Sequence, residues 1–102
     1  MEISEFQKMI AEIYLQRDRQ RGIEKTMLWI VEEVGELAEA VRKGKNIGEE
    51  IADVIAWVVS LANLCGIDVE REIFKKYPMF CRKCGGKPCK CDEYEISDSD
   101  SR

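Results

Sequence analysis

The segment EEIADVIAWVVSLANLCG, residues 49–66, decides the fold of this chain. It is apolar on almost every side, and its β-branched residues are compatible with either a buried strand or a buried helix. The run is too long for a strand, and it carries a helix signal at each end. Asn46 followed by Glu49 is a capping-box pattern, and Gly66 is a typical helix-ending residue. We therefore predict a helix here, at the centre of a helical bundle.

Three further helices follow from the flanking sequence. Ser4 with Gln7 is a capping-box pattern that starts the first helix, which runs to about Arg21. The second spans roughly residues 23–43, and its predicted core stripe is Met27, Val31, Val34, Ala38 and Val41. Asp68 is the predicted N-cap of a fourth helix that ends near Lys76, before Pro78. These elements predict an all-α, four-helix bundle-like fold.

The composition changes abruptly after Pro78. We predict a helical domain over residues 1–78, a cysteine-rich element over 79–91 and an acidic, disordered tail over 92–102. Through Cys91 the chain carries 15 acidic and 15 basic residues, whereas the tail holds five acidic residues against one arginine. The balanced body therefore lacks the strongly basic face of a duplex nucleic-acid binder.

Length and composition exclude several classes of protein. No segment approaches the roughly 20 consecutive apolar residues of a membrane span. The first residues, MEISEFQKMI, lack the features of a signal peptide, so we expect a cytoplasmic protein with reduced cysteines. Histidine is absent, which removes the Glu–His pairs that di-iron bundles use. A single core in a chain of 102 residues is marginal, so oligomerisation or bound metal would help to stabilise it.

Two pairs of carboxylates occur at helical spacing. Glu33 and Glu36 share one face of the second helix, and Glu50 and Asp53 have the same spacing on the third. Asp53 is predicted to be buried in the most apolar segment, where an unpaired carboxylate is costly. If the two helices pack antiparallel, the four carboxylates can face each other and would hold one or two Mg²⁺ ions. Alternatively these side chains face solvent, as we expect for Glu39.

The spacing of these acidic residues matches a known pattern. E-E-x-x-E at residues 32–36, a 13-residue gap and E-x-x-D at residues 50–53 resemble the signature of the MazG-like nucleotide pyrophosphohydrolases, an all-α superfamily. The segments EEVGELAEAVRKG and EEIADVIAWVVSLANLCGID are also similar to this family, as is the ending KKYP of the last helix. The resemblance covers about residues 4–78. It implies a helical subunit that forms a dimer or tetramer and Mg²⁺-dependent hydrolysis of a nucleoside triphosphate to the monophosphate and pyrophosphate.

The resemblance also implies roles for individual residues. The catalytic metal ligands would be Glu33, Glu36, Glu50 and Asp53, and Glu32 would orient or deprotonate the attacking water. Candidates for contact with the phosphates or the base are Lys75, Lys76 and Tyr77, although the lysines also complement the helix dipole. Trp57, on the same helix as Glu50, is a candidate for stacking on the base, with core packing as the alternative. The resemblance does not identify the nucleotide.

Four cysteines follow the helical region within eleven residues, at Cys81, Cys84, Cys89 and Cys91. A C-x-x-C pair is a common half-site for tetrahedral zinc, so we predict a structural Zn²⁺ site, with disulfides as the main alternative. The helical family does not require this element, which is an addition to its pattern. The fifth cysteine, Cys65, is predicted to be a buried core thiol.

Two other functions remain open from the sequence. One is a non-catalytic helical module that binds metal or nucleotide and uses the zinc element for interaction. The other is a structural helical protein whose glutamates face solvent. All five acidic residues of the motif are present, and this favours catalysis. A relative that only binds its ligand is expected to lose one of the four predicted metal ligands, which are all five residues except Glu32.

Overall fold

The structure of the protein, a computed structural model, describes residues 1–92. Its helices are α1 (Ile3–Arg21), α2 (Ile23–Lys43), α3 (Ile47–Cys65) and α4 (Val69–Lys76). No strand occurs within residues 1–92, so the all-α prediction is confirmed. The chain divides into two compact units between Val69 and Glu70. Within the described residues, no single helix is both long enough and apolar enough to span a membrane.

A single residue, Gly22, joins α1 to α2. Its φ of 87° lies in the left-handed region that favours glycine, and its N–H donates to the carbonyl of Asp18 at 2.9 Å. The predicted break at Gly22 is therefore confirmed. The predicted start at Ser4 is wrong, because α1 already begins at Ile3. There the Glu5 carboxylate accepts a hydrogen bond of 3.1 Å from the backbone N–H of Glu2.

The connection from α2 to α3 is also short and uses left-handed backbone. Gly44 (φ 70°) donates its N–H to the carbonyls at the end of α2, as expected for a helix-ending glycine. Asn46 precedes α3 but has a φ of 61° and makes no side-chain capping hydrogen bond. The predicted capping box of Asn46 and Glu49 is therefore wrong, since a capping side chain normally needs extended backbone at that position.

The central helix α3 packs against both α1 and α2, as predicted. Val59 and Ser60 are its buried residues. Its other side is open, because Ile51, Ile55 and Val58 are 44%, 51% and 42% exposed. Cys65 lies two helical turns after Val58, on that same side, and is exposed. The prediction of a buried Cys65 thiol is therefore wrong.

The predicted core stripe of α2 is on the wrong face. Met27, Val31, Val34 and Val41 are between 45% and 59% exposed, and Ala38 is exposed as well. The buried residues of α2 are Thr26, Ile30 and Ala40, which lie on the adjacent face. Within the first unit, α1 and α3 pack against α2, and neither covers this apolar face.

Two polar networks hold the first unit together. Asp18, 2% exposed, accepts a hydrogen bond of 2.8 Å from Arg21, whose guanidinium also donates to the hydroxyl of Thr26 at 3.2 Å. That hydroxyl in turn donates to the carbonyl of Gly22 at 2.7 Å. At the other end of the unit, the Gln7 amide donates to the Asn63 side chain at 2.9 Å, and its oxygen accepts the N–H that starts α4 at 2.9 Å. Buried polar groups that are paired in this way specify one arrangement of the helices.

The second unit begins at Glu70 and contains most of α4. The helix starts directly after Asp68 and ends at Lys76, as predicted. A tight turn follows, in which the N–H of Cys81 donates to the carbonyl of Gly86 at 2.9 Å and the N–H of Gly85 donates to the carbonyl of Cys81 at 2.6 Å. The predicted acidic tail, residues 92–102, lies outside the described residues except for Asp92.

Candidate active site

Carboxylates from α2 and α3 converge in the first unit. Glu33, Glu50 and Asp53 each offer an oxygen atom, and these three atoms lie within 4.8 Å of one another. Glu33 and Glu50 are half-buried, whereas Asp53 is exposed, so the prediction that Asp53 is buried is wrong. Glu36, which is also exposed, is not one of this group of three.

The electrostatics of the group are those of crowded like charges. Loss of solvent raises the pKa of Glu33, and the negative charges of Glu36, Asp53, Glu50 and Glu32 raise it further. Loss of solvent likewise raises the pKa of Glu50, followed by the charges of Glu36, Asp53 and Glu49. The negative charge of Glu36 therefore raises the pKa of one carboxyl group on each of the two helices, although Glu36 lies outside the group of three.

Two buried oxygens in this group have no hydrogen-bond partner within the described residues. They are Oε2 of Glu33 and Oε2 of Glu50. An unpaired buried carboxylate oxygen is costly, and native proteins usually satisfy such an atom with a donor, water or a cation. Carboxylate oxygens are the ligands that Mg²⁺ prefers. The residues present therefore fit a divalent cation at this position.

A cavity of about 350 Å³ opens beside Asp53, one of the three clustered carboxylates. Asp53 and Trp57 line it from α3, and Tyr14, Arg17 and Arg21 line it from α1. The Trp57 ring stacks on Trp29 with their centroids 6.1 Å apart, and the Arg21 guanidinium lies 4.6 Å from the Trp57 centroid. Trp57 is therefore both a packing residue and part of the cavity wall.

Sequence reasoning missed the arginines of α1. Arg17 and Arg21 line the cavity beside Asp53, and with Lys25 they also line a second cavity of about 580 Å³, whose wall includes Glu32. In the sequence they suited only a helix C-terminus. Their separation of four residues, which places both on one face of α1, was the available signal. An arginine beside the carboxylates can pair with an anionic group of a ligand.

The predicted contacts at the end of α4 belong to the second unit. There Nζ of Lys75 lies 3.7 Å from a carboxylate oxygen of Glu72, and Nζ of Lys76 lies 5.9 Å from the centroid of the Tyr77 ring. Each lysine therefore has a neighbouring side chain near its ammonium group within the second unit. Their role in substrate binding stays a prediction.

A second candidate metal centre lies in the second unit. The Sγ atoms of Cys81, Cys84, Cys89 and Cys91 all lie within 4.8 Å of one another, and all four cysteines are free thiols. Hydrogen bonds from the backbone N–H groups of Cys84 and Lys83 lower the pKa of the Cys81 thiol to about 6. The predicted convergence of the four cysteines is therefore confirmed, and the cluster can bind a metal ion.

The fold and the first site together define an all-α domain with a carboxylate cation site between two neighbouring helices and arginines beside it. The sequence model of the MazG nucleotide pyrophosphohydrolase domain matches residues 21–84. Because that match spans more than half of the chain, this protein belongs to the MazG nucleotide pyrophosphohydrolase family, as the acidic pattern predicted. No curated protein matches the chain. Family membership indicates a hydrolase that acts on nucleotides.

Proposed function

We propose that this protein is a Mg²⁺-dependent nucleoside triphosphate pyrophosphohydrolase that converts an NTP or dNTP and water to the monophosphate and pyrophosphate. One observation carries the proposal: in a chain of the MazG family, Glu33, Glu50 and Asp53 each bring an oxygen within 4.8 Å of the others. Glu33 and Glu50 also each carry a buried oxygen that has no hydrogen-bond partner in residues 1–92. We also propose a cytoplasmic location, where nucleotide substrates are found.

Each acidic residue has a role in the proposed reaction. Glu33, Glu36, Glu50 and Asp53 would hold one or two Mg²⁺ ions. A bound Mg²⁺ ion lowers the pKa of water and neutralises charge on phosphate oxygens. Glu32 accepts the proton of the water that attacks the α-phosphorus, while the bond to the bridging oxygen breaks and pyrophosphate leaves. Positioning and electrostatics supply most of the catalysis in such reactions, so no nucleophilic side chain is needed.

The cavity beside the carboxylates suits the nucleoside and its phosphates. Trp57 and Tyr14 give it an aromatic wall, and Arg17 adds a cation, whereas Asp18 offsets the charge of Arg21. A pocket that combines apolar walls with a few convergent polar groups is typical of a small-molecule site. Lys75, Lys76 and Tyr77 are retained as further contacts on the basis of the resemblance alone.

A nucleotide panel tests the proposed function. Purified protein with Mg²⁺ is given ribo- and deoxynucleoside triphosphates, and pyrophosphate and monophosphate are measured together. Equal amounts of both products from at least one nucleotide support the proposal. Orthophosphate with the diphosphate as products would contradict it, since cleavage would then lie at the γ-phosphorus. A panel that stays inert with Mg²⁺, Mn²⁺ and Co²⁺ would favour the non-catalytic binding module instead.

We further propose that the subunit forms a homo-oligomer, a dimer or a tetramer, through the uncovered apolar faces of α2 and α3. Val31 is 59% exposed and Ile55 is 51% exposed. Exposed apolar patches that extend over two helices are characteristic of interfaces between proteins. The small core of the isolated chain gives a second reason, because association would bury area that one subunit leaves in water.

The substitution Val31→Asp tests this interface. We expect it to shift the protein to a lower-mass species in light scattering coupled to size exclusion, because an unpaired carboxylate would have to be buried for the subunits to associate. Glu12→Lys is the matched control, since it changes charge at an exposed position of α1. If Val31→Asp keeps the mass of the parent protein at micromolar concentration, the interface is elsewhere or absent.

A further inference from the structure

We propose that Cys81, Cys84, Cys89 and Cys91 bind one Zn²⁺ ion in a closed, structural site that folds residues 79–92. The proposal does not rest on the proposed hydrolysis, because the four ligands include none of the acidic residues. The MazG match ends at residue 84, so Cys89 and Cys91 lie beyond it.

The distances between the sulfur atoms match a shared metal ion. A tetrahedral site with zinc–sulfur bonds of about 2.3 Å places its sulfurs about 3.8 Å apart. The Sγ atoms of Cys81 and Cys91 are 3.7 Å apart, and all four sulfurs lie within 4.8 Å of one another. A disulfide would require about 2.05 Å between two sulfurs and would pair them two by two. Here all four sulfurs instead lie close enough together to share one ion.

The backbone around the cluster is shaped to stabilise thiolates. The N–H groups of Gly86 and Lys90 point to Sγ of Cys84 at 3.4 and 3.3 Å, and the N–H of Cys91 points to Sγ of Cys89 at 3.4 Å. Donors of this kind offset the net negative charge that four thiolates leave on a zinc site. Gly86 is required for the close approach, because a Cβ there would lie 2.7 Å from the carbonyl oxygen of Pro88.

The element has too little core to fold without a metal ion. None of the described residues from 79 to 92 is fully buried, and Met79 and Phe80 are 72% and 52% exposed. A short segment without a core usually needs a disulfide or a metal, and all four cysteines are free thiols. Binding of structural zinc supplies folding free energy directly. Four thiolates also fill the coordination sphere, so no position is left for a reacting water.

Metal analysis and proteolysis test the site without any activity measurement. We expect one zinc per chain in the purified full-length protein, and visible absorption bands of tetrahedral cobalt thiolate after exchange with Co²⁺. Chelation should make trypsin cleave after Arg82, Lys83 or Lys90 at least about tenfold faster, because cleavage follows the population of the open form. Cys84→Ser should lose the zinc and show the same fast cleavage without chelation.

The exposed fifth cysteine provides the matched control. Cys65→Ser removes a thiol from α3, outside the cluster, and should retain the full zinc content and the slow cleavage. Three results would overturn the proposal: iron in place of zinc, cysteines recovered as disulfides from a reducing preparation, or a metal-free protein as resistant to trypsin as the parent. None of these results bears on pyrophosphate release, so the two proposals fail separately.

Discussion

Glu33→Gln is expected to lower kcat/KM for nucleoside triphosphate hydrolysis by at least about 100-fold, equivalent to roughly 2.7 kcal/mol of transition-state stabilisation. Glu33 belongs to the group of three carboxylates and carries a buried oxygen without a partner. The amide keeps the shape of the side chain but removes the charge that would hold a cation. The measurement is steady-state hydrolysis of the best nucleotide from the panel, at saturating Mg²⁺.

The same variant separates a lost cation site from a damaged fold. Burial and neighbouring carboxylates raise the pKa of Glu33, so removal of its charge relieves repulsion. We therefore expect the metal-free variant to be at least as stable to urea as the parent, and addition of Mg²⁺ to stabilise the parent only. Glu39→Gln is the control on the same helix, where Glu39 pairs with Lys43 at 3.3 Å and with Arg42. Full activity of Glu33→Gln would contradict the proposal that Glu33 holds a catalytic cation.

Arg21→Met is expected to lower the free energy of unfolding by about 3–5 kcal/mol, because it leaves the charge of Asp18 buried without its cation. Asp18 is 2% exposed, and Arg21 holds its Oδ1 atom at 2.8 Å while Oδ2 has no partner. In a domain of this size, such a loss lowers the Tm by more than about 10 °C. Urea denaturation followed by circular dichroism measures the change.

A double variant tests the physical reason for that loss. Asp18→Leu combined with Arg21→Met should recover most of the stability, because a buried ion pair can often be replaced by apolar residues of similar volume. The Thr26 hydroxyl still donates to the carbonyl of Gly22, so it is not left unpaired. Arg19→Met is the control, since Arg19 is an exposed arginine in the last turn of the same helix. A double variant as unstable as Arg21→Met would show that the buried charge is not the cause.

The helix ends were predictable because their determinants are local. Gly22, Gly44 and Gly66 end the first three helices in left-handed or related backbone conformations, which glycine adopts at little cost. Capping was less predictable, since Asn46 has a left-handed conformation and makes no side-chain capping bond. A capping pattern in the sequence shows which side chains could form a capping hydrogen bond. Whether the bond forms depends on the backbone conformation at the start of the helix.

Burial was predicted less well, and the errors share a cause. The stripe that begins at Met27 is regular and apolar, yet it is exposed in this chain. Periodicity shows that a face avoids water, but it does not distinguish a face buried within one subunit from a face buried between subunits. The error at Asp53 shows that apolar neighbours in sequence do not predict burial either. Those neighbours point to other sides of α3, so the Asp53 carboxylate is exposed beside a cavity.

The sequence by itself determined the helical class, the positions where the helices end, the family and the acidic and cysteine residues that can bind metal. All of these depend on residue type and on spacing along a helix of known pitch. Only the tertiary structure brought Arg17 and Arg21 of α1 to the cavity beside Asp53, and only it left one face of α2 uncovered. These features depend on how helices pack against each other, which is set by contacts between residues far apart in the chain.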